Sequence, residues 1–248
     1  MIPLFKSDYS IGKSILKITS KANSKVDSVF EIAKEEGLTT ATMVEDCLTG
    51  FLSATRASKN YGIDLIFGLR LTCCDSRSKK EAQDCHKIII FAKNDEGCKL
   101  LNKIFSKAFE LGGTSIEIND LKKLWQESAL LMAIPFYDSF IYNNLFKFSQ
   151  CMPLFSFTKP IFLEEDNMLP FDSIIKDAIH QYCKKNKFET LKTKSIYYKN
   201  RSDFEAFQTY KCICNRGSWQ GKTVSLEKPN LDHCGSREFC IESWRECK

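Results

Sequence analysis

Apolar residues along this chain fall into two patterns that take turns. Short, nearly continuous apolar runs read as buried strands: residues 1–5, 39–44, 64–72, 87–92, 129–135 and 160–163, with one more inside 190–198. Between them lie stretches with apolar residues three and four apart, the spacing of a helix that buries one face. Val29, Phe30, Ile32 and Ala33 predict a helix that Asp27 can cap and Gly37 ends. Phe51, Leu52, Ala54 and Ala57 predict one over 50–61, stopped at Gly62. Asn94 or Asp95 caps a third, whose stripe is Leu100, Leu101, Ile104, Phe105 and Ala108 and which Gly112-Gly113 stops. Further helices are expected from Asn119 to Trp125, over 138–148, and over 171–187 with Ile174, Ile175, Ala178, Ile179 and Tyr182 facing inward. Ser202 caps a last clear helix reaching Cys212. The polar stretch 73–85 reads as an exposed loop.

Alternation of this kind predicts an α/β protein with a parallel sheet and crossover helices. Roughly seven units in about 215 residues suit a barrel better than an open sheet. The final segment, 214–248, has weak periodicity and ends on a helical pattern, SREFCIESWRECK.

Composition changes this picture little. Hydrophobic residues make up 43% and charged residues 27% of 248, enough for a sizeable core. The charge of +5, from 36 Lys and Arg against 31 Asp and Glu, permits nucleic-acid contact without demanding it. No run of 18 apolar residues occurs, and the first ten residues lack the apolar core of a signal peptide. Twelve cysteines would suit a disulfide scaffold only in a shorter chain. Cys47, Cys98, Cys183 and Cys212 sit in apolar or helical stretches, as small hydrophobes do, so a cytoplasmic setting is expected.

Several candidate motifs carry little. Cys212, Cys214, Cys234, Cys240, Cys247 and His233 include no C-x₂-C pair, so a zinc site is not expected there. His180 reads as a surface histidine on the polar border of its helix. Gly97 sits at a helix start with no phosphate-loop context. The 19 Phe, 8 Tyr and 3 Trp fall mostly at apolar periodic positions and read as core rather than as base-stacking platforms.

One set of motifs is more specific. FKSDYS at the start, VFEIAKEEGLTTATMVEDCLTGFLSATRASKNYGIDLIFGLRL, CHKIIIFAKNDEGCKLLNKIFSKAFE, IFLEE, and TKSIYYKNRSDFEAFQTYKCI together cover nearly the whole chain. They resemble the PHP (polymerase and histidinol phosphatase) domain at the front of the bacterial family C DNA polymerases, the polymerase III alpha subunit. The resemblance implies a PHP-type distorted (β/α)7 barrel, TIM-barrel-like, over 1–213. Residues 214–248 would form a C-terminal extension that packs on the barrel or leads toward polymerase regions, within one compact unit.

The same alignment removes the metal chemistry that a working PHP site performs. Ser7, Asp8, Tyr9 and Ser10 match the family's opening, but its two metal histidines fall at Leu4 and Lys6. The TDH element is replaced by Val44, Glu45, Asp46 and Cys47, and the acid of the GCE element by Arg70. A family histidine aligns with Lys87, with His86 one residue earlier. Glu164 stands at a family carboxylate, and the last ligand pair becomes Ser195 and Tyr197. Lysine and arginine cannot ligate a divalent cation and repel it. Glu45 or Asp46, Glu164 and His86 would hold at most a loosely bound Mg²⁺ through water, so no cofactor is expected.

The expected role is therefore a catalytically degenerate PHP domain of a replication protein, docking polymerase regions or a proofreading exonuclease. The polymerase's own catalytic aspartates lie beyond the PHP domain in that family, so they are not expected in these residues. Two alternatives stay open: a metal-dependent phosphoesterase or 3′–5′ exonuclease, and a non-catalytic protein that binds phosphate or DNA through Lys6, Arg70 and Lys87. In the bland arrangement, Arg70 and Lys87 pair with Glu45, Asp46 or Glu164 and plug the vacated site.

Overall fold

The computed structural model describes residues 1–20, 26–75, 85–110, 115–215 and 233–248. The expected stop at Gly112-Gly113, most of the 73–85 loop and residues 216–232 lie outside them. Eight strands lie among the described residues: β1 (Ile2–Phe5), β2 (Thr40–Glu45), β3 (Asp64–Cys74), β4 (His86–Ala92), β5 (Ser115–Glu117), β6 (Leu130–Ile134), β7 (Ile161–Glu164) and β8 (Glu189–Ile196). The helices among the described residues are α1 (Val29–Glu35), α2 (Phe51–Tyr61), α3 (Asp95–Ala108), α4 (Ile118–Leu124), α5 (Phe140–Phe146), α6 (Asp172–Asn186), α7 (Phe204–Asn215) and α8 (Ile241–Glu246).

The strands run in the order β2-β1-β8-β7-β6-β4-β3-β5, and β2 also pairs with β3. That pairing closes a seven-strand ring and leaves β5 as a short addition on β3. The protein is thus an α/β protein with a closed, mixed seven-strand barrel and interleaved helices, consistent with a (β/α)7-like barrel. The expected all-parallel sheet is corrected at one strand: β4 runs antiparallel to both β3 and β6. Eleven residues lie between the end of β3 and the start of β4, fewer than the dozen or more that a crossover between parallel strands needs.

The chain divides into two compact units. The first comprises Met1–Ile66, Asp166–Leu169 and Thr193–Lys248. In it β1 pairs in parallel with β2 (Leu4 opposite Thr42) and with β8 (Leu4 opposite Ser195). Helix α1 buries the predicted Val29, Phe30, Ile32 and Ala33. Its N-cap is Ser28, whose hydroxyl accepts from the Glu31 amide, so the expected cap moves by one from Asp27. Gly62 closes α2 in the left-handed conformation at φ 64°, as a helix-ending glycine should. Asn200, not Ser202, caps the turn leading into α7, in a reciprocal pair with Asp203. The Trp244 indole of α8 donates to the Met1 carbonyl at 3.1 Å, tying the end of the chain to its beginning.

The second unit comprises Phe67–Glu165 and Pro170–Lys192. Its sheet is built on β4 and β6, where Ile89, Ile90 and Phe91 face Ala133, Met132 and Leu131 across the strand pair. Helix α3 is capped by Asn94 and buries Leu100, Leu101, Ile104 and Ala108, as its stripe predicts. Helix α5 is shorter than expected, and α6 buries Asp172, Ile175, Ile179 and Cys183. Ile174, expected inside, is 52% exposed. Among the described residues no helix is long and apolar enough to cross a membrane.

Candidate functional site

The residues singled out from the sequence divide between the two units. In the first unit they gather where β1 and β2 end. Glu45, the last residue of β2, has no exposed surface. One carboxylate oxygen accepts from the Ser7 amide at 2.7 Å and the other from the Ser10 hydroxyl. Ser10 Oγ in turn accepts from the Asp46 amide at 2.9 Å. The FKSDYS motif thus acts as a clamp, with Ser7 and Ser10 closing on one carboxylate. Burial pushes the Glu45 pKa above the usual carboxylate range, and the Lys6 charge and the two serine bonds only partly offset it.

Lys6 follows β1 directly and is 5% exposed. Its ammonium meets Asp46 Oδ1 at 3.0 Å. The Lys6 charge therefore stands beside two adjacent carboxylates. Ser195 sits on β8 opposite Leu4. Tyr197 packs: its ring stacks on Phe239 at 5.1 Å and 10°, and on Phe207 at 5.8 Å and 27°.

In the second unit Arg70 and Lys87 approach Asp138, expected only as a helix start, in place of the expected partners Glu45, Asp46 or Glu164. Arg70 Nη2 bonds Asp138 Oδ2 at 2.9 Å, and Lys147 reaches Asp138 Oδ1 at 3.1 Å. The Lys87 amide donates to the Asp138 carbonyl at 2.8 Å. Asp138 adopts φ 60°, a left-handed conformation that a short polar side chain tolerates. Lys87 Nζ donates to Thr72 Oγ1, its cross-strand partner, at 2.7 Å. Arg70, Thr72 and Lys87 share one face of the β3–β4 pair by strand alternation.

His86 lies on the opposite face, across from Cys73. It is 3.5 Å from Cys151 Sγ through Nδ1 and packs edge-on against Phe140. It does not share a face with Lys87, although the two are sequence neighbours. Glu164, at the end of β7, accepts a hydrogen bond from His180 Nε2 at 2.8 Å. Burial raises its pKa, but hydrogen bonds from Thr190 and His180 and the nearby charges outweigh that and hold it below the usual range. His180 is thus more than the plain surface histidine its helix position suggested.

The two side-chain partners whose pairing the sequence did not convey are Asp138, with Arg70, and His180, with Glu164. Asp138 could have been sought as the first acid after strand β6. The helix position of His180 is legible in the sequence, but its partner is not, since only the packing of α6 on β7 brings it to Glu164. Among the described residues no group of three or more His, Cys, Asp or Glu side chains is arranged to hold a metal ion. No family model matches the chain, and no curated protein matches it.

Proposed function

We propose that this chain is a catalytically degenerate PHP-type domain of a polymerase III alpha-like replication protein, serving as a structural and docking module. Its partner would be polymerase regions or a proofreading exonuclease. The observation that carries this reading is the cluster of Lys6, Asp46, Glu45, Ser7 and Ser10. The opening motif that resembles the family is retained as a clamp on a carboxylate. A lysine stands where the resemblance puts a metal histidine, with its ammonium 3.0 Å from a carboxylate oxygen. An ammonium held there supplies positive charge to the carboxylates without the open coordination positions that hydrolysis of a phosphoester needs. The barrel and the surface can then be kept for docking.

Two measurements test it. Titration of the chain with the family C polymerase and the proofreading exonuclease of the same source, by calorimetry, should give a stoichiometric complex with one of them. Phosphodiester hydrolysis should not rise with added Mn²⁺ or Zn²⁺. A metal-dependent hydrolysis lost in Glu45→Gln, with no complex formed, would replace this reading with the phosphoesterase.

A further inference from the structure

We propose that Cys74 and Cys85 are a redox-active thiol pair, which closes to a cross-strand disulfide by exchange with a small disulfide of the glutathione type. The register of the β3–β4 pair carries this. Its last rungs set Thr72 opposite Lys87 and Cys73 opposite His86. Cys74 ends β3 and Cys85 directly precedes β4, so the next rung sets the two cysteines opposite each other. Both are thiols in this structure.

The kind of rung decides whether a disulfide fits. Opposed residues in an antiparallel pair alternate between hydrogen-bonded and non-hydrogen-bonded. The Lys87 amide donates to the Asp138 carbonyl at 2.8 Å, away from Thr72. Thr72–Lys87 is therefore a non-hydrogen-bonded pair, and so, two residues on, is Cys74–Cys85. The α-carbons of such a pair lie about 4.5 Å apart with their side chains close, inside the roughly 4.4–6.8 Å that a disulfide spans. The Cys74 thiol now donates to the Ile116 carbonyl at 3.7 Å. A thiol is a weak donor, so turning it toward β4 loses little.

The surroundings select this pair among the neighbouring thiols. Cys73 and His86 face the other way by strand alternation, and Cys151 is held there against His86. Burial pushes the Cys73 thiol far above its usual range, which keeps it inert. Cys85 is half-buried, so a small disulfide can reach its sulfur, whereas Cys74 is 1% exposed. Lys87 lies two residues along from Cys85 on the same face, while the acids adjoin Cys74: Asp75 follows it and Glu117 pairs with it on β5. A nearby cation favours a thiolate, so Cys85 is the attacking sulfur. Its thiolate breaks the S–S bond of glutathione disulfide, and one glutathione leaves with the proton that Cys85 lost. Cys74 then attacks Cys85 Sγ and displaces the second glutathione in the same way. Two protein thiols and one glutathione disulfide thus give one protein disulfide and two glutathiones, and the pair has lost two electrons.

The test is incubation of the whole chain in glutathione buffers of rising disulfide-to-thiol ratio, followed by alkylation and tryptic mapping without reduction. Trypsin cuts after Arg77, Lys79 and Lys80, so the bridge holds two peptides together. The Cys74–Cys85 species should be the first internal disulfide to appear, and dithiothreitol should reverse it. Cys74→Ser should lose it entirely and leave a glutathione adduct on Cys85. Cys98→Ser, at another half-buried thiol, should leave the Cys74–Cys85 bridge as in wild type. A wild type that stays reduced, that collects glutathione without bridging, or that bridges first through Cys73 or Cys151 overturns the proposal.

Discussion

Glu45 and Glu164 are both strand-end carboxylates, and their surroundings push them in opposite directions. Glu45 has its pKa raised from 4.5 by burial. A carboxyl whose folded pKa lies above its unfolded value favours the fold fully below the unfolded pKa. That contribution is lost as pH rises through the folded pKa. Glu45→Gln keeps an acceptor for Ser7 or Ser10 and removes the titration. The melting temperature of this variant, relative to wild type, should therefore climb as pH is taken from 5 toward 8. A flat difference in a thermal melt series would show that Glu45 carries no such penalty. Glu164 has its pKa lowered, so its contribution is present above 4.5 and lost as pH falls through the folded pKa. His180 is half exposed, so His180→Ala should lower stability at pH 7 by no more than about 1 kcal/mol. The effect should fade on acidification, which urea denaturation at both pH values would show. The residue types were legible in the sequence, because Lys6, Glu45, Asp46 and Glu164 follow short apolar runs and must emerge at strand ends. Their partners were not. Arg70 meets Asp138, 68 residues away, and no periodicity encodes which acid a cation finds.

At the scale of elements, the helices with long stripes and explicit caps were legible, and the short or reversed elements were not. Asn94, Gly62 and the α3 stripe announce themselves through local chemistry. β5 has three residues, too few for any period. The reversal of β4 was available in principle: two apolar runs separated by a polar stretch without helical spacing imply antiparallel neighbours. Ile174 fails for a different reason, since a stripe three and four apart fixes a face but not its width. Gly97 shows what the pattern could not convey. A β-carbon there would lie 2.2 Å from the Ala129 carbonyl oxygen and 3.1 Å from Ala92 Cα. The start of α3 packs backbone to backbone against the β6 entry. In an open helix, Gly→Ala stabilises by about 1 kcal/mol. Here Gly97→Ala should destabilise by about 2 kcal/mol or more, because two backbones must separate. Chemical denaturation of that one variant decides between the two signs. At the other end of the chain, Arg201 bonds Glu238 and Glu246 at 2.6–3.1 Å, clasping α8 and the turn before it to the start of α7. Arg201→Ala should lower the melting temperature by a few degrees.

At the scale of the whole molecule, a closed seven-strand barrel was legible because strand and helix patterns alternate about as often as such a ring requires. Closure itself rests on β2 pairing with β3. That is a contact between elements, and only the count of units hinted at it. The largest functional question left is whether the Arg70 guanidinium is held by its carboxylate partner alone or still receives an anion. Arg70 is 15% exposed and Asp138 26%, so the pair is well shielded from water. Removing Arg70 takes from Asp138 its more shielded partner and leaves the half-exposed Lys147, at about 1–3 kcal/mol. Arg70→Ala should therefore melt lower than wild type without any ligand. Inorganic phosphate should not raise the wild-type melting temperature, because the guanidinium is already engaged by a carboxylate that moves with the fold. An anion site would behave differently. Phosphate at about 100 times its dissociation constant would add roughly 2.7 kcal/mol by mass action. That gain would vanish in Arg70→Ala, while the ligand-free melting point stayed near wild type. A differential scanning fluorimetry series of both proteins, with and without phosphate and with ionic strength held constant, separates the two patterns. The ion pair at 2.9 Å favours the first.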